Sequence, residues 1–179
     1  MHKARTLASL LCLLWLAVPS VFSSDSLLVV LADTGRIRDG YPVLKHHPDE
    51  ATIREVLTRG FSGKILKLYR LEQTYLERSA GIKPEPAYLL FSNHQGGFPR
   101  FGFYLENEDK RHAGYVDLYR TKTLTGRFGS DDQIFPHELR HVIVRQLAGD
   151  PPQGGSNQIH AIGVQTDPHN AWSEGFAVV

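Results

Sequence analysis

The chain has 179 residues, of which 41% are hydrophobic, with 20 Lys and Arg against 19 Asp and Glu. That length and apolar content fit one globular domain with a sizeable core. A formal net charge of +1 gives no footing for nucleic acid or an anionic membrane surface, and no repeat or low-complexity tract interrupts the chain.

Residues 1–23 read as a signal peptide, leaving 24–179 as the exported part, secreted or periplasmic. Lys3 and Arg5 precede an apolar run from Leu7 to Val18, followed by Pro19 and small residues suited to cleavage after Ser23. The run is near the lower length for spanning a bilayer, so an uncleaved anchor stays open as the alternative. Cys12, the only cysteine, lies inside this run. The exported part therefore has no thiol for a disulfide, a nucleophile or a metal site, which leaves His, Asp and Glu as ligands.

Leu27 to Ala32 is a continuous apolar run that ends at Asp33-Thr34-Gly35 and reads as a buried strand. Gly40 to Pro48 reads as loop, with His46 and His47 solvated. From Asp49 to Arg78 the apolar spacing is helical, with a break expected near Gly60-Phe61-Ser62-Gly63. Three strands are expected at 87–91, 101–105 and 114–119, with 93–99 as a loop rich in turn residues. The last of them, with Val116 and Leu118 on one face, offers either an interior strand or a free edge for an extended peptide.

The run Phe135-Pro136-His137-Glu138-Leu139-Arg140-His141-Val142-Ile143 holds the pattern His-Glu-x-x-His in a helical setting. Ser130, Asp131 and Asp132 supply capping oxygens, Pro136 is expected near the first turn, and Gly149 with Pro151-Pro152 ends the helix. Phe135, Leu139, Val142 and Ile143 form one stripe, while His137, His141, Val144 and Ala148 lie opposite, so the helix has core behind it and a cleft in front. Imidazoles four residues apart share a helix face and can bind one metal ion, with Glu138 beside them as general base toward a water that the metal polarises. Zinc is favoured by the ligand types, although an iron oxygenase uses a similar set. A third ligand must come from elsewhere, and His160, Asp167, His169 and Glu174 are the downstream candidates.

Glu174 stands in Trp172-Ser173-Glu174-Gly175-Phe176-Ala177. The pair HELRH and WSEGFA resembles the gluzincin zinc metallopeptidases. That resemblance implies His137, His141 and Glu174 as zinc ligands and Glu138 as the base. It implies an α+β, zincin-like fold, with a small mixed sheet packed on a long helix and a central HExxH helix. Residues 24–179 would then be the N-terminal part of such a domain, in a frame that continues past Val179. Gly102 to Asn107 lacks the Met of the aminopeptidase segment, so an endopeptidase acting on peptide or protein substrates is expected. Val178 stands where the thermolysin branch has an Asp that holds a ligand histidine, which leaves Asp117, Asp131 and Asp167 as candidates for that partner. Tyr115 and His169 are the candidates for stabilising an oxyanion. The competing function is a binding module that keeps the scaffold without catalysis; retention of Glu138, which a structural zinc site does not need, favours chemistry.

Overall fold

The longest strand, β1 (Leu28–Arg38), turns through Asp39 and Gly40 into β2 (Tyr41–His46). Both turn residues have positive φ, 50° and 81°, as a two-residue hairpin turn matched to strand twist requires. The region expected to be loop is therefore the second arm of a hairpin, and Asp39-Gly40 was its sequence signal. The computed structural model describes residues 27–119 and 131–149. Beyond the hairpin follow α1 (Glu50–Leu57), α2 (Gly60–Ala80), β3 (Ala87–Ser92), β4 (Gly97–Phe101), β5 (Tyr104–Leu105), β6 (Glu108–Asp109), β7 (Gly114–Tyr119) and α3 (Asp131–Ala148).

The seven strands form one mixed sheet in the order β4-β7-β3-β1-β2-β5-β6. β1, β3 and β7 run parallel, while β2 and β4 run antiparallel to their neighbours β1 and β7. This is the mixed α and β architecture expected from the sequence. The break in the long helical stretch falls at Thr58-Arg59, just before Gly60 opens α2 with φ of 58°. The expected strand at 101–105 is broken: Phe101 ends β4 and Tyr104–Leu105 form β5, because Gly102 at φ 82° turns the chain between them.

Alternation along the strands makes two cores. Leu28 and Val30 of β1, Leu89 of β3, and Val116 and Leu118 of β7 face the helices and meet Ile53, Leu66, Tyr69, Phe135, Leu139 and Val142. Leu31, Leu44, Tyr88, Leu90, Phe103 and Tyr115 fill the other face, where Phe103 meets Tyr88 and Tyr115 edge-on. The strand 114–119 is interior, between β4 and β3, and among the described residues β4 is the edge on that side. The bonded pairs of β4 with β7 are those on the register of Gly96 and Tyr119, so Gly97, Pro99 and Phe101 turn their backbone groups outward.

α2 packs against α3, with Tyr69, Glu72, Gln73 and Leu76 among its buried residues and Gln73 facing Gln146 of α3. Glu72 is 5% exposed. Its Oε2 accepts a bond from Gln73 Nε2 at 2.9 Å, and its Oε1 is buried with no hydrogen-bond partner among the described residues. Burial raises its carboxyl pKa from 4.5 to about 7, against the opposing bond from Gln73. The folded state thus holds a proton that the unfolded state releases at lower pH, so stability falls as pH rises from about 4.5 through about 7. Glu72→Gln is expected to remove this loss: in chemical denaturation it should be more stable than the parent at pH 8, by up to about 3 kcal/mol. Near pH 4 the gain should vanish.

Candidate metal centre on helix α3

α3 begins at Asp131, five residues before Pro136, so this proline lies inside the helix and not in its first turn. Its missing N–H removes one bond to the carbonyl four residues back, a cost offset by packing of the flanking side chains. Phe135, Leu139 and Val142 are at most 1% exposed and Ile143 is buried with them, as the helical wheel requires. His137 and His141 lie partly exposed.

Their Nε2 atoms stand 3.2 Å apart, with the rings 82° from coplanar. Two nitrogens bound to one tetrahedral zinc at the usual bond length would be about 3.3 Å apart. As it stands the contact is a hydrogen bond from one ring N–H to the other ring's nitrogen, and the same separation suits two nitrogens sharing one metal ion. Among the described residues no three His, Cys, Asp or Glu side chains are grouped to hold a metal. Glu174, with His160, Asp167 and His169, lies outside the described residues, as do Ser130 and the WSEGFA segment.

Glu138 is 8% exposed and lies against the edge strand. A Cβ placed on Gly97 would sit 3.1 Å from Glu138 Cγ and 2.4 Å from Ile134 Cγ2. On β7, a Cβ on Gly114 would come within 2.6 Å of Val142 Cγ1. These two glycines let the helix descend onto β4 and β7, which brings Glu138 beside the outward-facing backbone of Gly97. The sequence signal was Gly96-Gly97 followed by Phe98-Pro99-Arg100-Phe101, which reads as turn although its latter part is strand. Arg145 completes the contact, its guanidinium 4.0 Å from the Phe101 ring centroid.

Two expected helpers lie on the wrong face. Asp117 alternates with Val116 and Leu118 and so points away from α3, where its Oδ2 accepts a bond from Arg100 Nε at 2.7 Å and lies 3.5 Å from His94 Nδ1. It cannot hold His137 or His141. Tyr115 shares that face, packed on Phe103, and burial pushes its hydroxyl up to about 12; it is no oxyanion donor for this helix. Asp131 has only its backbone described, and His46, far along the sheet, bonds Glu50 Oε2 at 2.9 Å.

No family model, no curated protein and no solved structure matches the chain.

Gly97→Val should separate packing from residue chemistry here. Overlap with Ile134 is expected to cost about 1–3 kcal/mol in thermal or chemical unfolding. The same substitution at Gly35, where nothing lies within 4 Å but φ is 70°, tests backbone strain without a neighbouring helix.

Proposed function

We propose that this chain is an exported zinc metallopeptidase of the zincin-like, gluzincin type, cutting peptide bonds within a peptide or protein substrate. The observation that carries the reading is the 3.2 Å convergence of His137 Nε2 and His141 Nε2, on one turn of a helix that also carries Glu138. His137 and His141 would hold the metal, with Glu174 as third ligand. Bound there, zinc supplies a Lewis acid that polarises the scissile carbonyl and acidifies the attacking water.

The rest of the chemistry belongs to the chain. Glu138 takes the proton of the attacking water and can return it to the leaving amine. Its side chain is buried with Cγ against Gly97, which limits bulk water on that side. That edge supports the substrate class: an extended peptide can add to β4 by backbone bonds to Gly97 and Phe101, which lays it along the face of α3 beside Glu138. Side-chain specificity then falls to what flanks β4, including Phe98, 41% exposed on the opposite face of that strand.

Metal analysis of the purified full chain should find one zinc per molecule. His137→Ala and His141→Ala are each expected to abolish stoichiometric zinc, and full occupancy in either would refute the assignment. Glu138→Gln should keep zinc and lose peptide hydrolysis by about 10²–10⁴-fold, since the amide preserves shape but cannot accept a proton. Stoichiometric zinc with no hydrolysis in the parent chain would instead favour the binding-module reading.

A further inference from the structure

Where α2 meets α3, polar side chains are enclosed among apolar ones, and Gln73 joins them. Its Oε1 accepts the Glu85 backbone N–H at 2.9 Å, while its Nε2 donates to Glu72 Oε2 at 2.9 Å and lies 3.5 Å from Gln146 Oε1 on α3. Tyr69 stands in the same contact beside the Gln146 amide, its hydroxyl donating to the Pro86 carbonyl at 3.3 Å. Glu72 is the least satisfied member. It is 5% exposed, and while Oε2 has its bond from Gln73, Oε1 is buried and meets no donor among the described residues. A neutral carboxyl can stand in such a place at modest cost. A carboxylate there needs a counter-charge or contact with water.

We propose that Glu72 is a proton-controlled latch between α2 and α3: with its proton it lets the two helices close, and without it the end of α3 around Gln146 moves off α2 so that the carboxylate reaches water. The groups around it do not offset the charge. Tyr69 and Gln73 on its own helix and Gln146 on α3 are neutral. On the segment that leads into β3, Glu85 is held as a carboxylate by Tyr88 and Lys110 against its burial. Burial is the larger effect on the Glu72 carboxyl and lifts it from 4.5 to about 7, against the bond from Gln73. Opened into water, the same group returns toward its ordinary value. The closed contact is therefore fully favoured below about pH 4.5 and is lost progressively as pH rises through about 7. The latch is a property of the two helices and needs no metal. Where α3 holds zinc, as proposed above, the grip of His137 and His141 weakens over the same range.

Amide hydrogen exchange of the full chain, corrected for the intrinsic rate at each pH, reads the latch residue by residue. Between about pH 6 and about pH 8, protection from Ile143 to Ala148 should fall about tenfold, as a carboxyl near 7 when closed and near 4.5 when open requires. Leu89 and Val116 in the sheet should lose less. In Glu72→Gln the fall in α3 should be absent. Carbon NMR of isotope-labelled glutamate carboxyls supplies a reading in the unaltered chain, with Glu72→Gln used only for assignment: the Glu72 resonance should move with a midpoint near pH 7, in step with the α3 amides. A loss of α3 protection that persists in Glu72→Gln, an equal loss throughout the sheet, or a Glu72 carboxyl that titrates in the ordinary carboxylate range would each overturn the proposal.

Discussion

The distance between α3 and the sheet is set by two positions that carry no side chain. At Gly97 and Gly114 any Cβ would lie closer to Ile134 or Val142 than van der Waals contact allows. Because protein interiors are close-packed and give way little, a helix held this near cannot slide without opening a gap elsewhere. The buried row Phe135, Leu139 and Val142 fills the space behind it. Ile134 and Glu138 of α3 are thereby held against β4, and His137 and His141 follow on the same helix.

The polar groups at the α2–α3 contact work against that close packing. Glu72, Gln73 and Gln146 lie between the helices, with Gln73 Nε2 3.5 Å from Gln146 Oε1. One carboxyl oxygen of Glu72 has no hydrogen bond among the described residues. A buried polar atom left in this way costs roughly 1–3 kcal/mol, more if charged. The apolar contacts around Tyr69 and Leu66 must exceed that cost, and the sheet-side core of helix and strand residues is large enough to do so.

Elements with one strong period were legible in the sequence. The α3 stripe, the division of the long helical stretch, and the buried strands at 87–92 and 114–119 all follow from apolar spacing and breakers. What escaped was set by contacts between distant segments. β2 looked like loop because Lys45 and His46 are exposed, although Asp39-Gly40 marked the turn. β4 was hidden because its helix-facing positions include Gly97 and Pro99, whose small or rigid residues suit a close helix but resemble a turn. Asp117 is no partner for a ligand histidine, because the alternation of β7 sets it on the other face. The histidine pair itself was readable, since i, i+4 spacing fixes it locally; the orientation of Glu138 against β4 was not, because it depends on a strand forty residues earlier.

The register of β4 has one more consequence, carried by Pro99. Exposed sheet edges invite pairing with any extended chain, including another copy's edge, and proteins commonly interrupt them. Here the outward positions are Gly97, Pro99 and Phe101, so the middle one offers an acceptor but no donor. Two such edges brought together would face each other with a missing bond at the centre of a five-residue strand. Runaway strand stacking is thereby discouraged, while a single short segment can still anchor at Gly97 and Phe101 and leave its own carbonyl opposite Pro99 to water.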